Sequence, residues 1–126
     1  AAAARRARAP LRVGLIGYGT IGTYVAQKLL DGATLPGARL AAVLVSRQRS
    51  EVPELVRASG ALFTHDRSEF FRAGWDLAVE AAGQGAVREC GEHVLGPLGR
   101  SLLVTSVGAL CDSALHGRLL ASAEAG

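Results

Sequence analysis

The sequence has few cysteines, and their spacing does not suggest a cross-link or a metal site. Of its 126 residues only Cys90 and Cys111 are cysteine, and they lie 21 positions apart without a C-x-x-C pair. This spacing argues against a structural disulfide or a zinc site and fits a reducing, cytoplasmic location. The histidines His65, His93 and His116 are scattered singly, so no metal site is predicted.

Long hydrophobic runs are also missing. Runs such as "LAAVLV" fall far short of the roughly 20 apolar residues that a membrane-spanning helix requires, and the start of the chain lacks the apolar segment of a secretory signal. Hydrophobic residues nevertheless make up 49% of the chain, which excludes the disordered class. A chain of this length has room for one compact domain with its own core. The composition therefore predicts a single domain without a membrane partner.

The excess of positive charge is confined to the first ten residues. The formal net charge is +3, but without Arg5, Arg6 and Arg8 of "AAAARRARAP" the chain has 11 basic and 11 acidic residues. The rest of the chain is therefore neutral, and no nucleic-acid-binding face is predicted. Residues 1–10 are predicted to be a flexible leader, with a targeting segment as the alternative.

From Leu11 onwards, short apolar runs alternate with amphipathic stretches. The predicted strands are "LRVGLIG", "ARLAAVLVS", "ALFTH", "WDLAVEAAG" and "RSLLVTSVGAL". Helices are predicted over residues 20–30, 53–58, from 66 or 68 to 72, over 84–98, and after a cap at 112 or 113. This alternation predicts an α/β domain over residues 11–126, a doubly wound parallel sheet of about five strands in the order 3-2-1-4-5.

A G-x-G-x-x-G motif lies where the first strand meets the first helix. In "GYGTIG", Gly17 would allow a tight turn, Gly19 would let a pyrophosphate approach the backbone, and Gly22 would let the helix pack closely on the strand. The helix N-terminus supplies free amides and partial positive charge for phosphates. The motif predicts a Rossmann-type dinucleotide-binding domain, with a plain glycine turn in a flavodoxin-like domain as the alternative.

The end of the second strand bears on the choice of cofactor. NAD-binding domains usually place an acidic residue about 20 positions after the glycine loop, to bind the ribose hydroxyls. Here no acidic residue occurs between Asp31 and Glu51, and Ser46, Arg47 and Arg49 occupy the corresponding stretch. These side chains could bind a 2′-phosphate, which favours NADP slightly over NAD. A solvated basic turn is the alternative.

Two further loops follow the fourth and fifth predicted strands. The segments "EAAGQ" and "TSVGAL" are rich in small residues, which would let the nicotinamide half of a cofactor lie against the backbone. Glu80 is the one carboxylate in the interior of a predicted strand, and we expect a polar core residue there rather than a catalyst.

Three segments together resemble the L-aspartate dehydrogenase family: "GLIGYGTIG", "LAVEAAGQGAVRECGEHVL" and "SLLVTSVGALCDSALHGRLLASAEAG". The resemblance covers most of residues 13–126. It implies oxidation of L-aspartate to iminoaspartate with hydride transfer to NAD or NADP, and a product that feeds pyridine-nucleotide synthesis or hydrolyses to oxaloacetate and ammonia. The cofactor residues that the resemblance implies are Gly17, Gly19, Thr20, Ile21, Gly22, Ala82, Gly83, Ser106, Val107, Gly108 and Ala109.

The resemblance also implies that part of such an enzyme lies outside this chain. In that family the catalytic histidine and the substrate-binding residues belong to a second, carboxyl-terminal domain, so no catalytic residue is assigned here. We expect a fragment that binds cofactor weakly and is inactive alone, and the full-length enzyme would pair as a homodimer through the other half. The alternatives are another two-domain enzyme, of the homoserine dehydrogenase or dihydrodipicolinate reductase type, or a non-catalytic nucleotide-binding module.

Overall fold

A computed structural model describes residues 9–126. Apart from Ala9 and Pro10, the predicted leader lies outside the described residues. Five parallel strands form one sheet in the order β3-β2-β1-β4-β5, which confirms the predicted α/β fold class. The strands are Leu11–Ile16 (β1), Ala38–Leu44 (β2), Leu62–Thr64 (β3), Leu77–Glu80 (β4) and Ser101–Val104 (β5).

Helices cover both faces of this sheet. They are Thr20–Leu30 (α1), Glu54–Ser59 (α2), Arg67–Arg72 (α3), Gln84–Leu95 (α4) and Ser113–Ala125 (α5), with a 3₁₀ helix at Val107–Cys111. One core cluster joins β1 and β2 to α1 and α2, and a second joins the sheet to α3 and α4. The central strands are apolar nearly throughout because both of their faces are buried.

Two aspartates cap helices as the sequence indicates. The Asp66 carboxylate accepts hydrogen bonds from the amides of Ser68 and Glu69 at the start of α3. The Asp112 carboxylate accepts from the amides of Ala114 and Leu115 at the start of α5. These bonds satisfy amides that have no partner within the helix and so fix where each helix begins.

The fourth and fifth strands are shorter than predicted. The fourth was expected over residues 75–83 and the fifth over residues 100–110, but the ladders end at Glu80 and Val104. Beyond β5, the Thr105 hydroxyl donates to the Glu80 carbonyl and the Ser106 amide turns towards the Glu80 side chain. These bonds bend the chain out of the sheet direction, and the 3₁₀ helix follows.

Within residues 9–126, Cys90 is a buried free thiol and Cys111 an exposed one. That stretch holds no group of three or more His, Cys, Asp or Glu side chains placed to bind a metal ion. None of the helices described for it is long and apolar enough to cross a membrane.

Candidate cofactor-binding site

The glycine loop connects the end of β1 to the start of α1 at the centre of the sheet. The Gly17 amide donates to the Leu44 carbonyl and the Ala81 amide donates to the Ile16 carbonyl, each at 2.8 Å, so the loop is tied to β2 and to the β4 end. Gly17 has φ of +102°, and a β-carbon there would lie 2.8 Å from the Ala81 carbonyl oxygen. The protein's own packing therefore requires glycine at this position.

The other two glycines of the motif differ in what surrounds them. A β-carbon on Gly22 would overlap the Gly17 carbonyl, because α1 packs directly on the loop. A β-carbon on Gly19 would meet no atom of residues 9–126 within 4 Å. Packing explains Gly17 and Gly22, whereas the space beside Gly19 is open on the side of the cleft.

The first turn of α1 offers backbone donors to this open space. Gly19 is the N-cap, no side chain of residues 9–126 caps the helix, and the first turn holds no acidic residue. The amides of Thr20, Ile21 and Gly22 therefore have no carbonyl partner within the helix. Their orientation and the helix dipole suit an anion such as a pyrophosphate.

A cleft of about 750 Å³ opens along the carboxyl ends of the strands. It lies at the topological switch between β1 and β4, where open α/β sheets bind their ligands. The cleft brings together six of the residues predicted from the sequence: Gly17, Gly19, Ser46, Arg47, Arg49 and Ala82. Thr20, Ile21 and Gly22 follow in α1, whereas the predicted residues Gly83, Ser106, Val107, Gly108 and Ala109 lie outside the cleft lining.

The two arginines predicted to bind a 2′-phosphate have different surroundings. Arg49 donates to the Tyr18 carbonyl at 3.2 Å, and its guanidinium lies 5.5 Å from the Tyr18 ring centre and 5.6 Å from that of Phe63. These contacts hold the glycine loop against β3. Arg47 is exposed at the cleft and makes no hydrogen bond or ion pair with the part of the chain that the structure describes.

Glu80 connects the loop after β4 (residues 81–83, the β4 loop) to the loop after β5 (residues 105–106, the β5 loop). The side chain is fully buried, as expected for a polar core residue, and its carboxylate accepts hydrogen bonds from the amides of Ala82, Gly83 and Ser106. Burial raises the pKa of Glu80, but these hydrogen bonds outweigh it and hold the pKa below its ordinary value. The loops are thus joined by an ionised carboxylate.

The glycine loop, the open N-terminus of α1 and the cleft are the parts that a dinucleotide site requires. Residues 17–126 match the family model described as the NAD-binding domain of homoserine dehydrogenase. The chain belongs to this family. It is therefore an NAD(P)-binding domain, as the glycine motif predicted.

Curated relatives of this NAD(P)-binding domain include several L-aspartate dehydrogenases, which confirms the predicted resemblance. The enzyme of Methanocaldococcus jannaschii is 35% identical over 86% of this chain and 40% of its own length. L-aspartate dehydrogenase 2 of Bordetella pertussis is 41% identical over 91% of this chain and 41% of its own length. The chain thus spans about two fifths of the length of these relatives.

Solved structures share the fold of the domain. The WlbA dehydrogenase of Bordetella pertussis, in complex with NADH and UDP-GlcNAcA, superposes with a TM-score of 0.73 at 19% identity, over 93% of this chain and 34% of that one. Homoserine dehydrogenase of S. aureus gives 0.65 at 17% identity, over 92% and 30% of the two chains. At such identities the similarity concerns the fold alone.

Sequence reasoning missed one wall of the cleft in this domain. His65, Arg67 and Glu89 line it, and an ion pair joins Arg67 of α3 to Glu89 of α4. The signal was present, because His65 is the last residue of the third predicted strand and the carboxyl ends of parallel strands share one sheet edge. The Arg67–Glu89 contact joins residues 22 positions apart and has no local sequence signature.

Proposed function

We propose that this chain is the cofactor domain of a longer L-aspartate dehydrogenase, in which it binds NAD or NADP and presents it to the substrate. The relatives at 35–41% identity support this, as does the resemblance across all three segments. When bound, the cofactor supplies the acceptor for the hydride removed from the amino acid. No catalytic residue is proposed within this chain.

The open space at Gly19 is the observation that carries the binding proposal. We place the pyrophosphate against Gly17, Gly19 and the first turn of α1, with Thr20, Ile21 and Gly22 as donors. The adenosine half would lie near Ser46, Arg47 and Arg49. The nicotinamide half would lie towards the β4 and β5 loops, near Ala82, Gly83, Ser106, Val107, Gly108 and Ala109.

Replacement of Gly19 tests this arrangement. Gly19→Ala places a methyl group in the space proposed for the pyrophosphate, so the affinity for NAD and NADP should fall by about tenfold or more. The free energy of unfolding should fall by no more than about 1 kcal/mol, because the only cost of the substitution is that alanine is a weaker N-cap than glycine. Calorimetric titration and denaturant unfolding measure the two effects.

Gly37→Ala is the matched control for this test. Gly37 lies just before β2, outside the cleft lining, and an added β-carbon there also meets no atom of the described residues within 4 Å. Its cofactor affinity should stay unchanged. Equal affinities for all three proteins would remove the support for a pyrophosphate at Gly19.

We also propose a preference for NADP, with Arg47 as the residue that contacts the 2′-phosphate. Arg47 is exposed at the cleft, whereas Arg49 is already engaged with Tyr18 and Phe63. The carboxylate that would select the ribose hydroxyls of NAD is missing from this stretch. Arg49 then supports the loop, and Arg47 selects the cofactor.

Arg47→Ala should weaken NADP binding by about tenfold and leave NAD binding within about twofold, because only NADP loses a charge-assisted hydrogen bond. Calorimetric titration with both cofactors measures this difference. Arg39→Ala is the control, since Arg39 is exposed near the start of β2, at the opposite edge of the sheet. Equal losses for NAD and NADP would contradict the assignment.

The substrate is the second part of the proposal. The family description favours homoserine as the competing substrate. We expect the full-length protein to oxidise L-aspartate with a kcat/KM at least about tenfold above that for homoserine, and the reverse order would select the alternative. Initial rates of NAD(P)H formation with each amino acid decide between them.

We further propose a cytoplasmic enzyme whose partners are small molecules and a second copy of itself, without nucleic acid or membrane. The balanced charge beyond residue 10 supports this proposal. Iminoaspartate formed by such an enzyme would enter pyridine-nucleotide synthesis. Sedimentation of the full-length protein tests the homodimer.

A further inference from the structure

Glu80 is a buried ionised group for which the proposed function gives no role. It is the last residue of β4, its side chain is fully buried, and it is absent from the lining of the cleft. An ionised carboxylate in such a place is costly unless hydrogen bonds compensate for its lost hydration. The donors around it indicate what it does.

The four hydrogen bonds to this carboxylate come from two loops. Oε1 accepts from the amides of Ala82 at 2.9 Å and Gly83 at 2.8 Å, both in the loop after β4. Oε1 also accepts from the Ser106 hydroxyl at 2.8 Å, and Oε2 accepts from the Ser106 amide at 3.0 Å, in the loop after β5. One side chain therefore fixes the separation of the two loops.

We propose that Glu80 is a positioning residue for the nicotinamide half of the cofactor. This rests on the proposed function, which places that half against these two loops. Glu80 sets the distance and the tilt between the loops before the cofactor arrives, so that binding does not have to order them. The proposed function places the adenosine half along the cleft at β1 and β2, so its binding should not depend on the β5 loop.

A glutamine at this position would keep the bonds to the loop after β4 and lose one of the two bonds to Ser106 in the loop after β5. Its carbonyl oxygen can take the place of Oε1 and accept from Ala82, Gly83 and the Ser106 hydroxyl. Its NH₂ group would then face the Ser106 amide, and two donors cannot bond to each other. Glu80→Gln should therefore loosen the β5 loop, which loses the bond from the Ser106 amide and keeps the one from the Ser106 hydroxyl, with a minimal change of shape.

Fragment binding separates positioning from general stabilisation. Calorimetric titration compares NAD, NADP and ADP-ribose, a fragment that lacks the nicotinamide. Glu80→Gln should lower the affinity for NAD and for NADP by about tenfold, which is the effect of one lost buried hydrogen bond. The affinity for ADP-ribose should change by less than about twofold. Glu54→Gln makes the same chemical change on an exposed side chain of α2 and should change none of the three affinities.

The outcomes of this titration are distinct. An equal loss for ADP-ribose and the dinucleotides, or no loss for any, overturns the positioning role and leaves the proposed function intact. A wild-type protein that binds no dinucleotide overturns the proposed function, and this inference with it.

Amide hydrogen exchange is a second measurement, and it needs no variant. The amides of Ala82, Gly83 and Ser106 lie outside the helices and strands, yet bonding to Glu80 should slow their exchange at least about a hundredfold relative to an unstructured chain. In Glu80→Gln the protection should drop at Ser106 and persist at Ala82 and Gly83. Fast exchange at all three positions in the wild type would overturn the proposal.

Discussion

Asp31 ends helix α1 and begins the turn that leads to β2. Its Oδ1 accepts hydrogen bonds from the amides of Ala33 and Thr34, each at 2.8 Å, and its Oδ2 accepts from the Thr34 hydroxyl. The Thr34 hydroxyl contributes most to lowering the pKa of Asp31, followed by the Thr34 and Ala33 amides, and together they bring it from 3.8 to about 2. The carboxylate is fully exposed, so local bonding accounts for the shift.

Thr34→Val should raise the pKa of Asp31, since it removes the hydroxyl that contributes most to the shift. The pKa of Asp31 is lowered in the folded state, so its carboxylate stabilises the fold fully at pH values above its ordinary pKa of 3.8. This stabilisation is lost as the pH falls towards about 2. NMR titration of the carboxyl carbons measures the change.

The control for Thr34→Val is Asp112 in the same spectra. The Arg88 side chain lowers the pKa of Asp112 independently of Thr34. The pKa of Asp112 should therefore stay low in the variant. An unchanged pKa at Asp31 would contradict the role of the hydroxyl.

At the scale of elements, two glycines in helices have opposite roles. In α1, Gly22 lies on the buried face with Ala26 and Leu29 and touches the Gly17 carbonyl. In α5, an added β-carbon on Gly117 would meet nothing within 4 Å in the part of the chain that the structure describes. The first glycine permits close packing, whereas the second only weakens its helix.

We expect Gly22→Ala to destabilise the fold by roughly 1–3 kcal/mol, because α1 must move away from the loop to admit the methyl group. Gly117→Ala should instead stabilise it by roughly 0.5–1 kcal/mol, because alanine favours a helix. Urea unfolding of both variants measures the two free energies. Changes of the same sign would contradict the packing of α1 on the loop.

Elements set by local signals could be predicted from the sequence, whereas those set by distant contacts could not. Helix α1 was predicted over residues 20–30 with the bounds that it has, since its glycines and apolar spacing are local signals. The fifth strand was predicted too long, because the bonds from Thr105 and Ser106 that end it reach Glu80, about 25 residues away. Likewise, the contact of Arg49 with Phe63 depends on the pairing of β2 with β3, which no short stretch of sequence encodes.

At the scale of the whole molecule, the core clusters on the two faces of the sheet share its strands. The single tryptophan, Trp75, is buried in one of them, and its indole nitrogen donates to the Phe70 carbonyl at 2.8 Å. The other cluster draws on the same β1, β2 and β4. Neither face can keep its packing once the sheet separates.

The domain should therefore unfold in one cooperative transition. Trp75 fluorescence reports on one face of the sheet, and far-ultraviolet circular dichroism reports on all the helices. The two urea curves should have the same midpoint within about 0.2 M, given an ordinary slope for a domain of this size. Separate midpoints would mean that the two faces unfold independently.

The open space at Gly19 has a consequence for how this position evolves. Because no atom of the described part of the chain occupies it, purifying selection for a stable fold acts only weakly there, while it keeps glycine at positions 17 and 22. In a random library screened for folding alone, position 19 should accept other residues. A screen for cofactor capture should restore glycine at position 19. The two screens together would separate the glycines that selection keeps for a stable fold from the glycine that it keeps for cofactor binding.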